Sequence, residues 1–274
     1  MTSERAAELS KLCNTFRIDV LKAIHAVQSG HPGGSLSVCE ILAILYLEKM
    51  NVDPSNPNVP DRDRLVLGKG HAAPMLYRVL AEKGFFPVQE MSSLRHIDSI
   101  LQGHPSIHTP GVDMPSGPLG IGLSAAQGIA LGNRMDGYHN YVYAILGDGE
   151  INEGTVWEAA MSASKFKLDH LIAVLDYNKV QLDGTADQVM PMGDIPAKWR
   201  AFGWNVIECD GHDILQLSDA IDTAKSNFGT PTIIIAHTIK GKGVSFMEGK
   251  NTWHGKQISD NELAAALKEL GGVE

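Results

Sequence analysis

Cysteine is scarce in this chain, with three in 274 residues. Cys13, Cys39 and Cys209 lie far apart and none belongs to a CxxC pair, which excludes a disulfide framework and a cysteine-based zinc site. They read as reduced packing residues. Long apolar runs are missing too. No stretch approaches the ~20 residues of a membrane span, and the opening MTSERAAELSKL carries Glu4, Arg5, Glu8 and Lys11 instead of an apolar secretory segment. Positive charge is in the minority, 23 Lys and Arg against 32 Asp and Glu, for a net charge of −9. That balance disfavours a nucleic-acid backbone as partner, while a local anion site stays compatible with it. The expectation is a cytoplasmic protein that uses neither nucleic acid nor membrane. Repeats, low-complexity segments and composition shifts are also missing, so the 1–274 span reads as a single domain with 43% hydrophobic residues.

Glycine is plentiful: 28 residues, about 10% against an average near 7%. The glycines gather beside histidines and acids, in SGHPGG (29–34), GKGH (68–71), GHP (103–105), SGPLGIG (116–122), GDGE (147–150), DGHD (210–213), KGKG (240–243) and WHGK (253–256). The segments between them have regular periodicity. Leu9, Leu12, Phe16, Val20 and Ala23 or Ile24 predict a helix over about 4–27 that stops at Ser29-Gly30. Ser37-Val-Cys-Glu40 and Ser259-Asp-Asn-Glu262 have the capping-box pattern of helix starts. Residues 51–64, with three prolines and alternating charge, predict a surface loop. Short apolar runs at 65–67, 141–146, 171–175, 205–208 and 232–236 alternate with helical patterns such as 153–166 and 213–226. This alternation predicts a doubly wound α/β fold, a mainly parallel sheet with helices on both faces.

In such sheets ligands bind beyond the carboxyl ends of the strands. GDG, Asn178 and KGKG each follow a predicted strand, so three strand ends converge on one site. Asp148 offers a carboxylate there, and Gly149 lets an anion approach the backbone. Asn178 adds a hard oxygen and the Val180 carbonyl, by spacing, a third, a donor set suited to a metal-bridged diphosphate. Magnesium is the expected ion, with calcium as a substitute. Asp-Gly is also an ordinary turn dipeptide, so GDG alone does not decide the matter. Five of the eleven histidines adjoin glycine: His31, His71, His104, His212 and His254. His212, in DGHD before a helix, reads as structural, as do His25, His96, His139, His170 and His237, and His108 stays open. The other four loop histidines can position hydroxyls and move protons on a polyol or carbonyl substrate.

SGHPGG, KGHAAPMLY, GHP, SGPLG, GDGEINEGTVWEA, LDYNKVQLDG, AFGW, DGHD, KGKG and WHGK occur in the order found in transketolases. From about Phe16 to Lys256 the chain resembles the thiamine diphosphate-binding half of that family. The resemblance implies Asp148, Asn178 and the Val180 carbonyl as magnesium ligands and Gly149 as a backbone contact to the diphosphate. It implies His71, Lys240 and His254 at the diphosphate, Gly117, Pro118 and Leu119 beside the cofactor rings, and Leu182 as an apolar neighbour. His31, His104 and His254 resemble the residues that hold and help deprotonate the donor ketose. Glu153 and Glu158 resemble acids that link two active sites across an interface. Lys69 and Lys256 are weaker candidates that read as solvated surface lysines. Gly34 departs from the family, some members of which carry a side-chain donor there.

The implied activity is transfer of a two-carbon ketol group from a ketose, or its phosphate, to an aldose acceptor. The chain runs only about twenty residues past His254, with no span for the family's pyrimidine-binding and C-terminal domains. Those domains are therefore expected on a separate chain, a C-terminal transketolase subunit, in an α2β2 assembly. Alternatives are the α subunit of a 2-oxo acid dehydrogenase or decarboxylase, and a non-catalytic cofactor-binding scaffold. A third relative, deoxyxylulose phosphate synthase, keeps both cofactor domains in one chain. The donor and acceptor sugars, the pathway and the partner's identity stay open.

Overall fold

Each of the five short runs forms a strand; those of β2, β3 and β5 are apolar at consecutive positions and suit the interior of a sheet covered on both faces, whereas β4, with Asn205, Glu208 and Asp210, lies at the edge. They are β1 (Arg64–Leu67), β2 (Val142–Gly147), β3 (Leu171–Tyr177), β4 (Asn205–Asp210) and β5 (Thr232–His237). The computed structural model describes residues 1–272; the last two residues of the 1–274 span lie outside the described residues. The strands form one sheet in the order β1-β2-β3-β5-β4, and every pairing is parallel. The helices are α1 (Ser3–Val27), α2 (Pro32–Ser37), α3 (Cys39–Ile44), α4 (Ala73–Lys83), α5 (Ile121–Met135), α6 (Gly154–Lys165), α7 (Ala186–Val189), α8 (Ile195–Ala201), α9 (Ile214–Lys225) and α10 (Asp260–Glu269).

Alternation along the strands divides the core into two layers. Tyr143, Ile145, Ile172, Val174, Ile234 and Ala236 face one layer, with α1, α3, α4 and α9. Val142, Ala144, Leu171, Ala173, Ile233 and Ile235 face the other, with α5, α6 and Trp199 of α8. Helices therefore cover both faces, as the alternating pattern predicts. The three cysteines are free and buried. Among the described residues no helix is long and apolar enough to cross a membrane.

The Ser259 capping box is present, with the Ser259 hydroxyl and the Glu262 side chain each accepting from the other's backbone N–H at the start of α10. The Ser37 pattern behaves differently. Ser37 is the last residue of α2, and its hydroxyl donates to Asp176 at 2.6 Å. Glu40 instead accepts from the buried Arg17 guanidinium at 2.7 Å and pairs with His212 Nδ1 at 2.9 Å. Both local capping partners are thus drawn into tertiary contacts. Half of the 51–64 loop is exposed, and its end folds inward: buried Asp63 accepts from the N–H groups of Asn51 and Tyr141.

Candidate active site

β1, β2, β3 and β5 are neighbours in the sheet, so the loops after their carboxyl ends meet. These loops enclose a cavity of about 370 Å³. Behind it lies a buried polar cluster. Asp176, near the end of β3, is fully buried and takes an ion pair from Lys69 and hydroxyl hydrogen bonds from Ser37 and Thr238. Burial works to raise the Asp176 carboxyl, yet Lys69 and the two hydroxyls hold it below its ordinary value. Lys69 therefore corrects the surface reading. Only 2% of it is exposed, because the GKGH turn folds over the end of β1 and aims the ammonium at Asp176 and the Gly34 carbonyl. Lys256 keeps its surface character, paired with Glu262 over the Trp253 ring.

The four loop histidines come together. His31 caps the start of α2, His71 sits in the 3₁₀ turn Gly70–Ala72, and His254 closes the 3₁₀ turn Asn251–His254. The His71 and His254 rings stack at 5.0 Å, and His31 meets His71, His254 and His104 edge-on at 5.2, 5.4 and 6.4 Å. Gly33 permits this packing, since a Cβ there would stand 2.8 Å from the Trp253 carbonyl oxygen. Burial, aided by Arg95, His104 and Lys240, lowers His31 to about 4. Burial and the Lys240 charge lower His254 to about 3. His71 also lies well below its ordinary value, through burial and then Lys69. At neutral pH these three imidazoles are neutral, each with one N–H donor and one acceptor nitrogen. Exposed His108 joins none of these ring contacts.

Opposite the histidines are oxygen donors. Asp148 follows β2 and is 5% exposed. One of its oxygens accepts the Gly149 N–H at 2.8 Å, and the buried Oδ2 has no partner among the described residues. Burial, reinforced by Asp176, pushes this carboxyl up to about 6. After β3, Asn178 Oδ1 accepts the Val180 N–H at 3.1 Å, Lys179 turns left-handed and Val180 bridges to Thr185. This turn brings Asn178 and Val180 into the lining of the cavity that holds Asp148. Lys240, after β5, donates to the Val180 carbonyl at 3.0 Å and to His254 Nδ1 at 2.9 Å. No group of three or more His, Cys, Asp or Glu among the described residues could hold a metal. The orphaned Asp148 oxygen with the amide and carbonyl suits a hard cation that completes its shell with other oxygen ligands, as magnesium does. The donors fit a magnesium diphosphate group.

Leu119 and Leu182 line the cavity with 41% and 58% of their surfaces exposed, and Val189 and Met190 extend this apolar rim. Gly117 faces the His104 ring, and Pro118 is exposed between Gly117 and Leu119. Glu153 reaches the cavity rim, whereas Glu158 is exposed further along α6, outside the cavity lining. Sequence reasoning missed Glu150. This buried carboxylate accepts from Gly120 N at 3.1 Å and Gly147 N at 3.0 Å, and burial pushes it up to about 7. Gly68 packs directly against it, where any side chain would collide. Glu150 thereby joins three glycine loops, and its place in GDGE was the available signal. Asp176, a charge inside an apolar strand, carried a similar one.

Residues 9–274 match the family model described as the transketolase thiamine diphosphate binding domain. The chain is 46% identical over 269 residues to the 6-deoxy-6-sulfo-D-fructose transketolase subunit SqwG of Clostridium sp. strain MSTE9, covering 98% of both chains. It is 42% identical over 266 residues to an apulose-4-phosphate transketolase subunit from Actinobacillus succinogenes, covering 96% of each. Among solved structures, the transketolase of Campylobacter jejuni superposes with a TM-score of 0.92 at 29% identity, over 99% of this chain and 43% of that one. The chain thus spans well under half the length of that transketolase but nearly all of the two subunits. It belongs to the transketolase family and corresponds to that family's thiamine diphosphate-binding domain.

Proposed function

We propose that this chain is the thiamine diphosphate- and magnesium-binding subunit of a cytoplasmic transketolase that moves a two-carbon ketol group from a ketose to an aldose. The observation that carries this reading is the meeting of four histidine rings, 5.0–6.4 Å apart, in the chain that also sets Asp148, Asn178 and Val180 around one cavity. A second chain supplies the pyrimidine-binding domain, in an α2β2 assembly. The near end-to-end match to relatives named as subunits supports that division. The 1–274 span then acts as one diphosphate-binding domain. Phosphorylated and sulfonated sugars are both candidate substrates, given the relatives' names.

In this reading Asp148 Oδ2, Asn178 Oδ1 and the Val180 carbonyl hold magnesium. Gly149, His71 and His254 hold the diphosphate and Lys240, its three donors already placed, favours it by its charge; Gly117, Pro118, Leu119 and Leu182 border the rings. When bound, thiamine diphosphate supplies a nucleophilic thiazolium carbon and an electron sink for breaking the bond between C2 and C3 of a ketose. His31, His104 and His254, neutral at working pH, orient the donor's hydroxyls, His254 by donating from Nε2, while His31 and His104 accept or return protons as its carbonyl and C3 hydroxyl change charge. Glu153 and Glu158 face the partner and link paired sites. The exposed apolar rim at Leu119 and Leu182 is covered by partner and cofactor together, which excludes water from the reacting carbon.

Reconstitution tests the reading. The chain is mixed with a candidate pyrimidine-domain chain, magnesium and thiamine diphosphate, and ketol transfer is assayed. Turnover by the pair with neither chain active alone supports it, and full turnover by the 274-residue chain alone contradicts it.

A further inference from the structure

Arg95 holds an unusual backbone conformation for its type, with a left-handed φ of +61°. Its N–H donates to the Leu101 carbonyl at 2.7 Å, and buried Leu94 and Leu101 anchor the loop on either side. The conformation sends the guanidinium between two other loops. Nη1 donates to the Ser29 hydroxyl at 2.8 Å, two residues before His31. On the other side is Gly103, immediately before His104. A Cβ on Gly103 would lie 2.9 Å from the guanidinium carbon, so a side chain there would push the guanidinium out of its present place. The Arg95 Nε is buried and unpartnered.

We propose that Arg95 is a positioning residue for His31 and His104, clamping the two loops that carry them so that both rings face one substrate volume. The clamp stands on this geometry; only its kinetic consequence rests on the ketol-transfer reading above. The His31 and His104 rings sit 6.4 Å apart with no hydrogen bond between them, so their separation depends on what ties their loops. Arg95 also supplies a fixed positive charge to both. Burial first and Arg95 second hold His31 and His104 below their ordinary value. The other groups facing His31 are His71, His104, Lys240 and His254; those facing His104 are Arg95 and His31. Arg95 is thus the charge common to both rings. It adds to burial in disfavouring their protonated forms, and the unpartnered His31 Nδ1 is left able to pair with a sugar hydroxyl.

Imidazole ¹⁵N resonances and ring-to-ring NOEs of the full chain test the clamp without needing turnover. In R95M, the midpoints of His31 and His104 should both rise by about half a pH unit or more, and the NOE between the rings should weaken. R95K keeps the charge but lacks the fork, so its midpoints should stay near wild type while the NOE weakens. If R95M fails to fold, S29A replaces it: the hydrogen bond is lost, the charge remains, and the NOE should weaken. Unchanged midpoints and NOE in R95M, or an unchanged NOE in R95K and S29A, would overturn the proposal. In the reconstituted pair, R95M should raise the donor KM roughly tenfold, with a smaller change in kcat. A wild-type pair without ketol transfer would sink the functional reading and leave the NMR result on the clamp standing.

Discussion

The Lys240 ammonium donates to His254 Nδ1 at 2.9 Å, and this contact sets the tautomer of that imidazole and adds to the burial that keeps it neutral. Its other hydrogen bonds go to the carbonyls of Val180 and Gln181, so all three donors are used. With Nδ1 accepting, neutral His254 carries its proton on Nε2. Burial and the adjacent cation together hold its titration at about 3. Replacing Lys240 with methionine removes the cation and leaves Nδ1 unpaired. The His254 midpoint should then rise by about one unit or more, read from its ¹⁵N shifts, and thiamine diphosphate affinity should fall by about tenfold or more.

Asp148 should show opposed effects on stability and on binding. Its folded value near 6 lies above the ordinary 3.8, so its destabilising charge is absent at low pH and appears as pH rises through 6. At pH 8 the metal-free D148N chain should therefore be more stable than wild type by about 1–3 kcal/mol in urea unfolding. Below about pH 4 the advantage should vanish. The same variant should lose the tightening of cofactor binding by magnesium, measured by calorimetry. Equal stability at pH 8 would contradict the unpaired charge.

His31 and His254 give stability the opposite pH dependence. In the unfolded chain both return to the ordinary 6.5, while the folded values are about 4 and about 3. Between pH 6.5 and 4 the unfolded state binds protons that the folded state refuses, so stability falls as pH falls through that window. Asp148 and Glu150, raised to about 6 and about 7, oppose this over part of the same range. The sign is best read by difference. The stability of an H31N/H254N variant relative to wild type should increase steadily from pH 6.5 to about 4 and be flat above pH 7. A difference that does not change with pH would refute the neutral, desolvated state of these rings.

Arg17 and Glu40 tie α1 to α3 in the apolar layer, with side chains only 3% and 6% exposed. Removing one partner leaves a buried charge uncompensated, so R17M should cost about 3–5 kcal/mol. An R17M/E40Q double variant should cost less than the sum of its parts, since the amide oxygen still accepts from His212. A loss below about 1 kcal/mol for R17M would show that the pair contributes nothing net.

The strands and the histidine loops could be read from the sequence because their signals are local. Apolar runs such as 171–175 declare a buried strand by themselves, and a glycine beside a histidine marks a loop without reference to the rest of the chain. Lys69 could not be read this way. Its partner Asp176 is 107 residues away, and the two meet only because the sheet order brings the end of β1 near the end of β3. Glu150 is similar: its role depends on Gly68, Gly120 and Gly147 meeting, which no single motif specifies. Ser37 and Glu40 mark the reverse case. Their capping pattern is genuine in sequence, but Asp176 and Arg17 offer each side chain a stronger charged partner, and tertiary contact overrides the local signal.

Transfer of an intact two-carbon ketol unit is tested most directly by isotope tracing. A ketose donor labelled with ¹³C at C1 and C2, such as fructose 6-phosphate or 6-deoxy-6-sulfo-D-fructose, is incubated with an unlabelled aldose, magnesium, thiamine diphosphate, this chain and a candidate pyrimidine-domain chain. The expected result is a new ketose carrying both labels as an adjacent C1–C2 pair in its ¹³C spectrum, with none formed by D148A or H254A. Release of labelled carbon dioxide from a 2-oxo acid, with no labelled ketose from any sugar donor, would contradict the claim.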